Sequence, residues 1–144
     1  MRIGIGSDHR GYEAKGFLKR YLENQGYSVK DFGINSAASS DYPDVAFPLA
    51  EEVAKKKLKR GILICGSGIG MCISANKVKG AYAALCTNES MASMSRKHNN
   101  ANILTLGALY LSKNRMKKIV DVWLKEPFEE GRHRRRFNKI RKKE

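Results

Sequence analysis

Apolar positions along this chain change their period as it runs, and each change marks an element. "RIGIG" at residues 2–6 is a short apolar run punctuated by glycine and predicts a strand. Between Gly11 and Gln25, residues Ala14, Phe17, Leu18, Tyr21 and Leu22 recur at helical spacing on one face, with Gly26 placed to close the helix. "YSVKDF" alternates and predicts a second strand. A polar loop, "GINSAASSDYPD", follows it. The next helix turns Leu49 and Val53 inward and ends in the lysine run Lys55–Lys57; Pro48 must either begin that helix or bend it. "GILIC" and "AYAALC" are the third and fourth strands, separated by a helix over "IGMCISANKV". "ESMASMSRKHNN" is a helix closing on asparagines, and "NILTLG" is a fifth strand. In "SKNRMKKIVDVWLKEP", Met116, Ile119, Val120, Trp123 and Leu124 share one face between a Ser112 cap and a Pro127 stop.

Strands alternating with helices predict an α/β fold, a three-layer αβα sandwich around a five-stranded parallel sheet, Rossmann-like in plan. At 144 residues the chain suits a single domain spanning 1–144, and no repeat or linker divides it. Ligands of such sheets bind beyond the carboxyl ends of the strands. Here those ends are "SDH", "CGSGIG" and "CTNES", and "KHNN" at the close of a helix is expected to join them in one crevice.

Hydrophobic residues make up 42% of the chain, yet no run of about 18 apolar residues occurs that would span a membrane. "MRIGIGSDH" reaches glycine and charge too soon for a secretory signal. Cys65, Cys72 and Cys86 are an odd number, which argues against a disulfide framework. The expectation is a cytoplasmic protein with free thiols.

Charge complicates the picture. Lys and Arg number 28 against 14 acids, a net +14, and the tail "RHRRRFNKIRKKE" holds eight Lys/Arg and one acid, half of that excess. A tail of this kind fits nonspecific phosphate contacts with nucleic acid, a solvated helix, or a lid over an anionic small molecule. A single-strand binder needs aromatics interleaved with its cations, and the tail offers only Phe137.

The chemistry concentrates in "ILICGSGIG", Ile62–Gly70. A dinucleotide fingerprint needs a glycine at the sixth position; counting from Gly66 that is Met71, and from Gly4 it is His9. No Gly-Lys-Ser/Thr occurs for a Walker loop. What remains is a row of backbone N–H groups, Gly66, Ser67, Gly68, Ile69 and Gly70, at a helix N-terminus: an anion site that begins at a thiol. Helix N-termini favour thiolates, so Cys65 is a candidate for chemistry, whereas Cys72 and Cys86 read as inert core residues. Ser7 and Asp8 serve equally well as helix caps or as site residues, and His9 stands beside that carboxylate. His98, Asn99 and Asn100 fit a helix terminus or a site equally well. His9, His98 and His133 lack metal-ligand spacing, and no CxxC or HExxH motif occurs, so no metal is expected. A thiol, an anion hole, an imidazole, a carboxylate and arginines together suit proton transfer on an anionic substrate through an oxyanionic intermediate.

With these motifs in one order, from "GSDHRGYEAK" through "DYPD", "GILICGSGIGMCISANKV", "SRKHNNANILTLG" and "IVDVWL" to "FEEGRHRRR", the chain resembles type B ribose-5-phosphate isomerases of the RpiB/LacAB sugar-phosphate isomerase family. The resemblance implies that Cys65 is the base moving a proton between C1 and C2 through a cis-enediolate. It implies that the Gly66–Gly70 amides hold the enediolate oxygens, with Ser67 assisting where many relatives have threonine. By the same resemblance His98 opens the sugar ring with Asn99 beside it, Asp8 and His9 contact the sugar, and Arg132 and Arg136 bind the phosphate. The family uses no cofactor and works as homodimers or dimers of dimers with shared active sites. One departure stands out: where many relatives carry a further phosphate-contacting arginine after the "NILTLG" strand, this chain has Leu109.

The implied activity is interconversion of D-ribose 5-phosphate and D-ribulose 5-phosphate in the non-oxidative branch of the pentose phosphate pathway. Allose 6-phosphate or galactose 6-phosphate is the alternative substrate. A basic nucleic-acid-binding module and an inactive sugar-phosphate-binding regulator are the alternatives from other classes; the presence of Cys65, His98 and Asp8 together argues against the regulator.

Overall fold

Arg60–Cys65, the third strand, is buried along its whole length, as a strand covered on both faces must be. The computed structural model describes residues 1–144 and places this strand at the centre of a five-stranded sheet. We label the strands β1 (Arg2–Ser7), β2 (Ser28–Asp31), β3 (Arg60–Cys65), β4 (Ala83–Leu85) and β5 (Ile103–Gly107). The helices are α1 (Tyr12–Asn24), α2 (Tyr42–Ala54), α3 (Ile69–Asn76), α4 (Glu89–Lys97), α5 (Lys113–Lys125) and α6 (Arg132–Lys142), and a short 3-10 turn, His9–Gly11, precedes α1. The order is β2–β1–β3–β5–β4, and every pairing is parallel.

Each sheet face has its own core. On one, Leu18 and Leu22 of α1 and Met116, Ile119, Val120 and Trp123 of α5 pack on Ile3, Ile5, Ile62, Ile64 and Leu104. On the other, Val45, Leu49 and Val53 of α2 and Met71 and Ala75 of α3 pack on Leu63 and Ile103. The expected α/β architecture with helices on both faces is therefore what the chain forms. No helix is long and apolar enough to cross a membrane.

Three local expectations resolve on inspection. Gly26 adopts φ +92° one residue past the α1 cap, the left-handed conformation that ends a helix without a Cβ penalty. Ser112 caps α5 by accepting from the Arg115 N–H at 3.1 Å. Pro48 neither starts nor ends α2, which begins at Tyr42 and runs through it. Its ring is exposed, so water is available to the carbonyl one turn back that proline cannot bond.

The strand order fixes where a ligand site can lie. β2 departs from β1 on one side while β3 and β5 lie on the other, so the crossovers after β1 and β3 leave in opposite directions. A crevice opens between the carboxyl ends of β1 and β3. Ser7 pairs with Ile64 there, which brings Asp8 beside Cys65.

Candidate active site

Cys65 ends β3 and is 4% exposed, and the chain then turns through Gly66, Ser67 and Gly68 into α3. Gly68 takes φ +81°; a Cβ there would fall 2.6 Å from Leu85 Cδ1 and 2.9 Å from the Leu106 carbonyl carbon. Gly107, opposite Cys65 in β5, has Ser67 O only 2.5 Å from where its own Cβ would be. These two glycines let the loop lie flat on β5, and the Ala108 and Leu109 N–H groups lock it there by donating to the Cys65 and Gly66 carbonyls, each at 2.9 Å.

Inside the loop the donors divide. The Gly68 N–H donates to Cys65 Sγ at 3.2 Å, and the Ile69 N–H to Ser67 Oγ at 3.1 Å. Of the five amides expected to face an anion, these two are engaged within the loop. The Gly66, Ser67 and Gly70 amides donate to no acceptor in the chain. A backbone donor aimed at sulfur suits a thiolate acceptor, and the three unengaged amides beside it suit a developing oxyanion.

Cys65, Asp8 and His9, with Gly66, Ser67, Ile69 and Gly70 of the loop, line one cleft of about 480 Å³. Asp8 Oδ1 caps the 3-10 turn by accepting from the Arg10 and Gly11 N–H groups at 3.0 and 3.3 Å, and the residue also lines the cleft. His9 is clamped by Ser40. The His9 backbone N–H donates to Ser40 Oγ, and the Ser40 N–H donates to His9 Nδ1, both at 3.2 Å. With Nδ1 accepting, the neutral ring carries its proton on Nε2.

Three cleft residues, Arg10, Tyr42 and Ile73, were not assigned a role from sequence. Tyr42 at the start of α2 lies over Gly70, with ring carbons 2.6 Å from where a Cβ would stand. Arg10 and Leu109 complete the rim. "DYPD" was legible as a motif, but nothing in it told that Tyr42 folds onto the glycine loop.

His98 and Asn99 do not join this crevice, contrary to expectation. A helix returning between parallel strands ends at their amino edge, and His98 follows α4 there, ahead of β5. The five-residue β5 alone separates the two edges by about 13 Å at roughly 3.3 Å per residue. His98, Asn99 and Arg136 line a separate recess of about 230 Å³, walled also by His133, Phe137 and Ile140. The Glu129 N–H donates to the Lys97 carbonyl at 3.0 Å, tying the segment ahead of α6 to the end of α4. Arg132 is exposed on the first turn of α6.

His98 and His133 stack with ring centroids 4.1 Å apart and 7° between planes. One nitrogen of each ring and a Glu129 carboxylate oxygen lie within 4.8 Å of one another, a proximity that sequence spacing did not reveal. An imidazole binds a metal in its ring plane. Two rings in parallel planes cannot aim both lone pairs at one ion near 2 Å without turning.

The other thiols differ from each other. Cys86 is buried, which pushes its thiol up to about 11. Cys72 is half-buried rather than a core residue: its thiol donates to the Ala83 carbonyl at 3.6 Å and accepts from Asn76 Nδ2 at 3.6 Å.

Comparison with known proteins places these residues in a family context. Residues 3–140 match the profile of the family described as Ribose/Galactose Isomerase. The chain is 46% identical over 142 residues to a probable ribose-5-phosphate isomerase B of Mycoplasma genitalium, covering 97% of this chain and 93% of that one. Its fold superposes on a Clostridium thermocellum ribose-5-phosphate isomerase B with a TM-score of 0.97 at 50% identity, covering 99% and 96% of the two chains. It likewise matches the Mycoplasma genitalium ribose-5-phosphate isomerase B with bound ribulose-5-phosphate, with a TM-score of 0.95 at 44% identity, covering 99% and 95%.

Proposed function

Because the chain belongs to the ribose/galactose isomerase family, we propose that it interconverts D-ribose 5-phosphate and D-ribulose 5-phosphate by proton transfer at Cys65. The observation that carries the reading is the Cys65 sulfur beside unengaged amides in a cleft shared with Asp8 and His9. A thiolate there takes the C2 proton of the open-chain aldose. The electrons move into an enediolate, whose oxygens accept from the Gly66, Ser67 and Gly70 amides; the C2 hydroxyl proton passes to the C1 oxygen, and the thiol returns the carbon-bound proton to C1. Ser67, Asp8 and His9 hold the sugar hydroxyls. The proton never needs to leave this edge of the sheet.

Ring opening and phosphate binding are assigned to His98 with Asn99, and to Arg132 and Arg136. All four lie at the opposite edge of the sheet, so a second copy of the chain must supply them. Exposed apolar residues support such pairing: Ile69 and Ile73 on α3, both lining the cleft, and Met91 and Met94 on α4, are 43–59% exposed. Burying such a face against a partner is favourable at about 25 cal/mol per Å². The proposed enzyme is a cytoplasmic homodimer, or a dimer of dimers, that needs no cofactor and acts in the non-oxidative pentose phosphate pathway.

Mixing two impaired variants, assayed on ribose 5-phosphate, tests the shared site. A Cys65→Ala chain keeps His98, and a His98→Asn chain keeps Cys65. Random re-pairing makes half of the dimers mixed, each with one intact site. Activity should then return to about one quarter of wild type, by that statistical argument. No recovery on mixing, with re-pairing confirmed by mass, would place all the needed residues on one chain. Parallel assays with allose 6-phosphate and galactose 6-phosphate identify the preferred sugar.

A further inference from the structure

The amino edge of the sheet holds a cavity of about 870 Å³, and the isomerase reading makes no use of it. This is the size of a small-molecule site. Its wall is cationic: Arg60 and Arg96 form part of it, with Lys56, Lys59, Lys79 and Arg141 around them. Only one acid, Glu144, lies among the lining residues, and Arg134 at the margin is already paired with Glu130 at 2.7 Å.

Arg60 is the informative residue. It opens β3, is 8% exposed, and its Nε is buried without an acceptor. No carboxylate forms an ion pair with it; its guanidinium faces the Trp123 ring at 5.7 Å instead. Arg96 beside it is 5% exposed and bonds only neutral oxygens, those of Glu126, Asn100 and Ala101. Burial and the proximity of Arg60 lower its pKa to about 10. Two buried guanidinium groups without a carboxylate are costly to keep and call for an anion.

We propose that this cleft binds a small anion carrying two or more phosphate groups, such as an inorganic polyphosphate or a nucleoside triphosphate. Arg60 donates to the inner phosphate, and Lys59 and Lys79 at the exposed rim hold the outer ones. A single sugar phosphate would leave most of these cations unpaired. A nucleic-acid strand would reach the rim but not the buried guanidinium, and the aromatics offer it no platform: Phe137 is buried and packs edge-on against Tyr82 at 4.8 Å. The basic tail thus divides by face, with Arg141 turned to this cleft and Arg136 to the His98 recess.

Calorimetric titration of the full chain with tripolyphosphate, at fixed near-physiological ionic strength, tests the site without reference to isomerase activity. We expect one saturable site per chain. Arg60→Gln and the double variant Lys59→Ala/Lys79→Ala should each weaken binding by about tenfold or more. Lys139→Ala/Lys142→Ala, which removes equal charge from the tail outside the cleft, should change it less than about twofold on the same scale. If Arg60→Gln fails to fold, the rim variant decides. ATP binding as tightly as tripolyphosphate would show that the phosphate chain alone is read, and tighter binding would show that the nucleoside adds contacts; both support the site. Absence of saturable binding, equal weakening in the tail control, or preference for a single-stranded oligonucleotide would overturn it.

Discussion

The imidazole of His98 lies flat against that of His133, at 4.1 Å between centroids, and His133 is the buried partner of the pair. Burial, then the neighbouring His98 and Arg132, hold His133 below the ordinary histidine value of 6.5, with Glu129 opposing. A lowered histidine pKa means that the unfolded chain binds a proton which the folded chain refuses. Stability is therefore full above about 6.5, falls as the pH drops below it, and levels out beneath the folded value. Urea unfolding between pH 5 and pH 8, roughly bracketing that window, should show a steeper loss in wild type than in His133→Phe, which keeps a flat ring without the titration. Identical pH profiles would remove His133 from this role.

Cys65 and Cys72 give an internal comparison of thiols seven residues apart. Only Cys65 receives a loop amide and faces the cleft with Asp8. Cys65→Ala should lower kcat by about 10²–10⁴-fold, the usual contribution of a positioned base. Cys72→Ala removes a half-buried thiol outside the loop and should leave kcat near wild type. On the proposed route through an exchangeable thiol, deuterium from D₂O should enter the product with or without EDTA. Turnover that requires metal and incorporates no solvent label would count against Cys65 as base.

Ring opening separates the two directions of the reaction. Ribose 5-phosphate closes into a furanose, whereas ribulose 5-phosphate has no such ring to open. His98→Asn should therefore reduce initial kcat/KM for ribose 5-phosphate much more than for ribulose 5-phosphate. Comparable losses in both directions would point to a positional role for the ring stack rather than to proton movement at the ring oxygen.

The helix and strand periods, the parallel sheet and the glycine loop were all legible in the sequence because each rests on local pattern. Pro48 was not, since whether a proline can sit within a helix depends on which side faces water. The larger miss was His98. Sequence order places it just before β5, and only the direction of α4 shows that this means the amino edge, away from Cys65. Tyr42 over Gly70, and Arg60 unpaired beneath the basic cleft, depend on tertiary packing that no period encodes.

The family resemblance implies a phosphate-contacting arginine where this chain has Leu109, and the position of Leu109 allows that loss to be tested. Its side chain is 61% exposed on the rim of the Cys65 cleft, and its N–H is fixed on the Gly66 carbonyl at 2.9 Å. Arg10 shares that rim, whereas Arg115 is held by Glu89 at 2.6 Å and Lys113 lies 3.9 Å from Glu13. On the proposed reading, Arg132 and Arg136 of a second copy share the phosphate charge. Hydrogen bonds to charged groups contribute about 1.5–3 kcal/mol each, and about 1.4 kcal/mol is tenfold in affinity. Arg136→Ala should accordingly raise KM by about tenfold to a hundredfold, with a smaller fall in kcat, because the phosphate sits away from C1 and C2. Leu109→Arg should lower KM and soften the effect of Arg136→Ala in the double variant, since both cations would share one phosphate. Steady-state kinetics on the four proteins, at fixed ionic strength, measures the coupling. Strict additivity of the two substitutions would show that residue 109 and Arg136 do not meet at the same phosphate.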